Sequence, residues 1–243
     1  MKAFLLAAGC GTRLRPLTES IPKCLVPIAG QPLLFHWFDA LVDAGVREVL
    51  VNTHHLAPRV DAAIGRWSGS LAVRLAYEPE LLGSGGTLRA NKRFVEGERD
   101  FFVIYADNLA DVKLAALLEA HRRDGMAFTT FVYETARPLE KGICVLEPGT
   151  DRILEFAEKP SRPKSNIASA GIAVASTRIF DALPDRCPLD LSRDVLPGLG
   201  GRMQAVRTDG YIRDIGSLTD YRTAQREWRS LRSTSRVITR GPY

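Results

Sequence analysis

Cysteine is scarce in this chain, and the few cysteines stand apart. Four of the 243 residues are cysteine (Cys10, Cys24, Cys144 and Cys187), with no CxxC pair and no cysteine at metal-ligand spacing from a histidine. That pattern suggests neither a disulfide framework nor a zinc site and makes a reducing cytoplasm the expected compartment. Long apolar runs are missing too. Ala3 to Ala8, behind the single charge of Lys2, is at the lower limit of a signal-peptide core and far short of a membrane span. It reads as a buried strand, and no membrane partner is expected. No GK pair occurs anywhere, which excludes a Walker phosphate loop. Aromatic residues make up only 8% and form no series interleaved with basic residues.

Excess charge is also absent from most of the chain. The net charge is +5, but Arg226, Arg229, Arg232, Arg236 and Arg240 against Glu227 supply four of those five charges. The remainder is close to neutral, so no nucleic-acid partner is expected. The reading is one domain over residues 1–228 and a basic C-terminal tail over 229–243, expected to be disordered. No internal repeat is visible, and nothing after Gln225 is long enough for the hexapeptide coils of an attached acyltransferase.

What the chain does have is 45% hydrophobic residues in short runs alternating with helical patterns. Ala3 to Ala7, Glu48 to Asn52, Val73 to Tyr77 and Phe101 to Tyr105 read as buried strands. Leu34, Trp37, Phe38 and Leu41 fall at helical spacing between Pro32 and Gly45, the punctuation of a helix packed on a sheet. Such βαβ alternation predicts a largely parallel sheet. In the second half, Ala127 to Tyr133, Ile143 to Leu146, Ile153 to Ala157 and Ile167 to Ala175 read as strands with fewer helices between them. They predict a mixed sheet or a small β lobe.

In open α/β sheets ligands bind beyond the carboxyl ends of strands, so the loop after the first strand is the first candidate site. Gly9 and Gly11 let the backbone approach a ligand, and Thr12 and Arg13 add a hydroxyl and a cation, a combination suited to triphosphate. Leu14 replaces the third glycine of a dinucleotide fingerprint. Lys23 follows between Pro22 and Pro27, on a stiffened segment where a fixed cation suits phosphate. His54 and His55 are adjacent and would face opposite sides of a strand, which suits rim residues better than a chelating pair. His36 and His121 lie in helical patterns and read as packing or surface residues. Phe35, Trp37 and Phe38 read as core.

The run LAAGCGTRLRPLTESIPKCLVPIAGQPLL resembles the signature of the sugar-1-phosphate nucleotidyltransferase family, approximately LAxGxGTRLxPLTxxxPKxLxPIxxxPxL. Further similar segments follow in order: Leu82 to Thr87, Tyr105 to Asn108, Phe156 to Pro160, Ser169 to Ile172 and Gly210 to Gly216. The resemblance covers Met1 to about Gln225 and is nearest to mannose-1-phosphate guanylyltransferase-like members, short forms without a C-terminal β-helix. It implies a three-layer α/β/α Rossmann-like fold with a mostly parallel mixed sheet and a small β-rich sugar-binding lobe. It also implies an enzyme that joins a nucleoside monophosphate from an NTP to a sugar 1-phosphate of the mannose or manno-heptose type, with Mg²⁺.

By the same resemblance, Leu6, Ala7, Ala8, Gly9, Gly11, Thr12, Arg13, Lys23, Glu78, Gly83 and Asp107 hold the nucleotide. Asn108, Glu158, Lys159, Ser169 and Gly171 hold the sugar phosphate, Asp107 and Asp214 the metal, and Arg13, Lys23, Asp107 and Asp214 act in catalysis. Ala106 stands where the family has glycine, Ser169 where it has asparagine and Ala173 where an aromatic residue is common. Glu78 stands where uridine- or thymidine-type members carry glutamine. A carboxylate only accepts hydrogen bonds and suits the N1–H and N2–H₂ edge of guanine, so GTP is the expected base donor. A UTP- or dTTP-dependent hexose-1-phosphate enzyme is the alternative. A non-catalytic nucleotide-sugar sensor of the same fold is a further one, disfavoured because Arg13, Lys23, Asp107, Lys159 and Asp214 are all kept. A homo-oligomer is left open.

Overall fold

The computed structural model describes residues 1–238, with side chains described for residues 1–231. In chain order its first half contains β1 (Lys2–Leu6), α1 (Leu17–Ser20), β2 (Pro27–Ile28), β3 (Gln31–Pro32), α2 (Leu33–Asp43), β4 (Glu48–Thr53), α3 (Ala57–Ile64), β5 (Ala72–Tyr77), α4 (Ser84–Ala90), β6 (Asp100–Tyr105) and β7 (Asn108–Asp111). The second half contains α5 (Leu114–Asp124), β8 (Phe128–Glu134), β9 (Gly142–Leu146), β10 (Arg152–Glu158), β11 (Ile167–Ser176), β12 (Met203–Arg207), β13 (Tyr211–Asp214) and α6 (Leu218–Ile238).

Nine strands form one sheet in the order β5-β4-β1-β6-β11-β8-β12-β10-β9. The first four are mutually parallel, as the βαβ spacing predicts. β11 then enters antiparallel between β6 and β8, and β12 runs parallel to β8 but antiparallel to β10. Of the two arrangements open for the second half, the structure has the mixed sheet; the β-rich region is the far end of that same sheet. A separate two-stranded ladder joins β7 to β13.

The central strands are apolar on both faces because both faces are covered. Phe4, Phe101 and Val103 belong to one core, while their neighbours Leu5, Phe102 and Ile104 belong to another on the opposite side. The second core takes Leu34, Trp37, Phe38 and Leu41 of α2 and Leu114 and Leu117 of α5, and the first takes Leu88 of α4 and the helical turns over 191–199. The result is three layers. A third, smaller core packs Trp228 and Ala224 of α6 against Leu14, Val26, Leu33 and Ile215, which pins the loop after β1 to the end of the chain.

Val73 to Tyr77, expected to be buried, is instead the edge strand β5, with Leu75 38% and Tyr77 62% exposed. Only β4 pairs with it, so its outer edge stays open, although Val73 and Ala76 still pack against the two cores. Helix α6 passes through the boundary expected at residues 228/229 and runs to Ile238. The disorder expected for the tail concerns, in residues 239–243, positions outside the described ones. No described helix is long and apolar enough to cross a membrane.

Candidate active site

The carboxyl ends of β1, β4, β5 and β6 surround a cavity of about 220 Å³. Its wall begins with Leu6 to Gly9, where the chain leaves β1 and Ala7 N–H donates to Asn52 Oδ1 at 2.7 Å. The loop then turns through Gly11, where a Cβ would lie 3.1 Å from Lys23 Cβ and 2.9 Å from Thr18 Cγ2. Glycine here lets Lys23 pack against the loop, and Lys23, only 8% exposed, reaches Asp107 Oδ2 at 2.6 Å. Next to it the Cys24 thiol is pushed up to about 12 by burial, so it stays protonated and is not a nucleophile.

The far wall is a buried polar network centred on Glu78. Oε1 accepts from Asn52 Nδ2 at 2.9 Å and from Thr87 Oγ1 at 2.5 Å, and Oε2 accepts from Leu82 N–H at 3.1 Å. Three of the roughly four acceptor positions of a carboxylate are thus filled by the protein. His54 Nδ1 lies 2.8 Å from the Glu78 carbonyl and His55 Nε2 lies 3.0 Å from that of Thr18, so both histidines brace the rim. Gly83 closes this wall. A Cβ there would be 2.5 Å from the carbonyl of Leu189, whose N–H donates to Leu82 O at 2.8 Å. The Gly-rich segment and the late segment around Leu189 are therefore folded onto each other.

A second cavity, of about 510 Å³, adjoins the first and lies over β8 to β11. Tyr105, Asp107 and Asp190 line both. Burial raises the pKa of Tyr105, keeping its hydroxyl protonated 3.2 Å from Ser192 Oγ. On the wall, β11 bulges between Ser169 and Ala173. Gly171 within the bulge has φ +68, and a Cβ would meet Asn108 Nδ2 at 2.9 Å. Asn108 Nδ2 in turn donates to Ala170 O at 3.2 Å, and Ser169 Oγ sits 3.0 Å from Thr130 Oγ1. Burial raises the pKa of Glu158 while Lys159, with Nζ 3.6 Å from Oε1, opposes the shift. Lys159 itself has φ +47, a conformation that costs a non-glycine residue about 1–2 kcal/mol. Such strain is concentrated at functional positions.

Asp214, at the end of β13, is the cross-strand partner of Asn108, which places it beside Asp107, and Ile215 N–H donates to Asp107 O at 2.9 Å. Lys141 Nζ lies 3.4 Å from Asp214 Oδ2, while Asp214 Oδ1 is buried without a hydrogen-bond partner. At Gly216 a Cβ would come within 3.2 Å of Arg13 Nη2 and of both Asp214 carboxylate oxygens, so the missing side chain lets Arg13 and Asp214 share one corner. Among the described residues no third His, Cys, Asp or Glu joins the two aspartates.

Residues 2–230 match the family model described as nucleotidyl transferase. The chain belongs to the nucleotidyl transferase family. The mannose-1-phosphate guanyltransferase beta-A of Xenopus laevis is 32% identical over 228 residues, 92% of this chain and 63% of its own length. The mannose-1-phosphate guanylyltransferase 1 of Arabidopsis thaliana is 32% identical over 251 residues, 100% of this chain and 69% of its own. This nucleotidyl transferase chain thus spans less than two thirds of the Xenopus relative. Among solved structures, HddC from Yersinia pseudotuberculosis has a TM-score of 0.78 at 25% identity, covering 93% of this chain and 99% of that one. A UDP-glucose pyrophosphorylase from Acinetobacter baumanii has a TM-score of 0.77 at 23% identity, covering 95% and 97%, and shares the fold.

Within this nucleotidyl transferase the expected site residues separate into two groups. Leu6, Ala7, Ala8, Gly9, Lys23, Glu78, Gly83 and Asp107 line the first cavity, and Arg13, Asn108, Glu158, Lys159, Ser169, Gly171 and Asp214 line the second, together with Asp107. Gly11 and Thr12 line neither; Gly11 shapes the loop and Thr12 is exposed at the start of a helical turn. Sequence reading missed Asn52, Tyr105, Lys141 and Asp190. Tyr105 lay inside the similar segment Tyr105 to Asn108, Asp190 inside the run Pro188 to Pro197, which more loosely resembles mannose-1-phosphate guanylyltransferase-like members, and Asn52 at the end of a run read as a strand.

Proposed function

We propose that the chain transfers a nucleoside monophosphate from an NTP, preferentially GTP, to a sugar 1-phosphate of the mannose or manno-heptose type, releasing pyrophosphate. The observation that carries this reading is the junction of two cavities at Asp107, with cations on both sides: Lys23 lines the first and Arg13, Lys141 and Lys159 the second. A sugar-phosphate oxygen attacks the α-phosphorus in line, one P–O bond forms, and the bond to the β-phosphate oxygen breaks. Because the attacking phosphate is already anionic, positioning and charge neutralisation are what the protein supplies, and no general base is needed.

Lys23 is placed over the phosphates of the donor, and Arg13 stabilises the departing pyrophosphate. Glu158 accepts hydrogen bonds from sugar hydroxyls, and Lys159 meets the sugar phosphate. Asp107 and Asp214 fit a divalent metal, proposed as Mg²⁺: Asp214 is paired across the β7–β13 ladder with Asn108, the chain neighbour of Asp107, both aspartates line the second cavity, and Asp214 Oδ1 is a buried acceptor that protein donors leave unpaired. Bound there, Mg²⁺ would neutralise charge developing on the phosphate oxygens. Support for GTP comes from relatives named as guanylyltransferases and from Glu78, whose remaining acceptor position suits a guanine N–H. Ser169 and Ala173, both small, widen the sugar wall and favour a bulky sugar such as a manno-heptose.

Pyrophosphate release with Mg²⁺, measured for GTP, UTP, dTTP, CTP and ATP against a panel of hexose and heptose 1-phosphates, tests the reading. Turnover is expected with GTP and a manno-configured acceptor. Turnover confined to UTP or dTTP would replace the base assignment, and silence in a protein that still binds an NTP would support the sensor alternative.

A further inference from the structure

Lys141 belongs to no segment that the family resemblance marks, yet its side chain is more enclosed than that of any lysine in the second cavity. It is 16% exposed against 58% for Lys159, and its ammonium faces Asp214 Oδ2 at 3.4 Å, its one hydrogen-bond acceptor among the described residues. The hairpin of β9 and β10 fixes its place: Gly142 pairs with Glu158, and Lys159 N–H donates to Lys141 O at 3.0 Å. The two lysines are thereby held side by side at the cavity wall.

Building on the transferase reading, we propose that Lys141 is a sugar-phosphate-binding residue, the enclosed cation that receives the acceptor's phosphate monoester beside Asp214. The charges around the cavity favour such a group beside Arg13, whose side chain is exposed. Asp107, Glu140, Glu158, Asp190 and Asp214 all line it, and a phosphate dianion entering among five carboxylates needs cations held in place beforehand. Lys159 is mostly in solvent with its Nζ 3.6 Å from Glu158, and Lys23 is committed to Asp107 at 2.6 Å on the side of the first cavity. Lys141 is the lysine whose ammonium is both enclosed and weakly engaged, since a 3.4 Å contact uses little of a group with three donors.

The rival role is a strut that only holds Asp214 in place, and the two make opposite predictions. Removing a cation that binds the acceptor weakens binding of that acceptor; removing a strut disturbs Asp214 and hence the metal requirement. Lys141→Met and Lys141→Arg should be compared with wild type, varying sugar 1-phosphate, NTP and Mg²⁺ in turn. Lys141→Met is expected to raise KM for the sugar 1-phosphate about tenfold or more while KM for the NTP stays within about twofold, and Lys141→Arg should recover most of the loss. Calorimetric titration with the sugar 1-phosphate, and with inorganic phosphate as a probe that needs no turnover, should show binding to wild type that Lys141→Met loses. An unchanged KM and unchanged binding, with a shifted Mg²⁺ requirement, would overturn the proposal in favour of the strut. If wild type turns over no pair, the transferase reading fails by itself. The phosphate titration still decides Lys141: binding lost in Lys141→Met upholds it, and equal binding overturns it.

Discussion

Asp214 carries an unbalanced pair of oxygens: Oδ2 faces Lys141, and Oδ1 is buried with no protein donor. Leaving a buried acceptor unpaired costs about 1–3 kcal/mol, a penalty that folding alone gives no reason to keep. Asp214→Asn is therefore expected to reduce turnover at least about a hundredfold without lowering Tm; Asp107→Asn should reduce turnover as much but also lower Tm, because it removes the charge partner of the buried Lys23. Pyrophosphate release and thermal melts on the same samples check both. Glu78 differs, because its oxygens are occupied. Glu78→Gln sets an amide N–H₂ against Leu82 N–H or Asn52 Nδ2, an unfavourable donor pairing expected to cost about 1–3 kcal/mol in stability as well as to reduce the preference for GTP over UTP. An unchanged base preference together with the lower Tm would leave Glu78 a purely structural residue. Arg13 and Lys23 were legible because a long composite motif surrounds them, and Asp107 because it lies in the further similar segment Tyr105 to Asn108. Lys141 and Asn52 were not, because strand pairing and loop closure bring them to the site from segments that carry no motif of their own.

Among the elements, apolar runs marked nine of the larger pieces correctly, since a strand covered on both faces and a helix with one buried stripe leave different periods in a sequence. β5 was assigned as a strand but misjudged as buried: an edge position depends on how many neighbours the sheet acquires, and its own residues do not encode that number. β12 went unread because its five residues mix Met203, Ala205 and Val206 with Gln204 and Arg207. The contact of Gly83 with Leu189 was equally hidden, joining two segments that sequence reading had treated separately. Gly83 has φ +77 as well as a carbonyl 2.5 Å from where a Cβ would stand. Gly83→Ala should thus cost about 2 kcal/mol or more, lower Tm by roughly 4–8 °C, and raise KM for the nucleotide more than KM for the sugar phosphate. A variant with wild-type Tm and kinetics would show that the contact relaxes without consequence.

Across the whole molecule, His121 ties α5 to the sheet. Nδ1 lies 2.8 Å from Thr129 Oγ1 and Nε2 lies 3.3 Å from Asp100 Oδ1, so a neutral ring with its proton on Nε2 satisfies both. Burial lowers its pKa from 6.5, and nearby Asp100 only partly opposes that. The unfolded chain then takes up a proton more readily than the folded one as pH falls below 6.5, so this contribution to stability is present above 6.5 and lost on acidification. Tm measured from pH 8 down to about pH 5 is expected to fall more steeply in wild type than in His121→Gln. Parallel profiles would assign the acid sensitivity to other groups.

The division of the sheet has a consequence for recombination. Apart from Asp190, every residue lining the first cavity precedes residue 108, whereas the second takes most of its lining from residues 128–214. With the donor in the first cavity and the acceptor in the second, as proposed, the two substrates would be read by different stretches of one gene product that meet at Asp107. A chimera that takes residues 128–214 from a relative should inherit a new acceptor while keeping its original donor, provided that the foreign segment still supplies an aspartate at position 190.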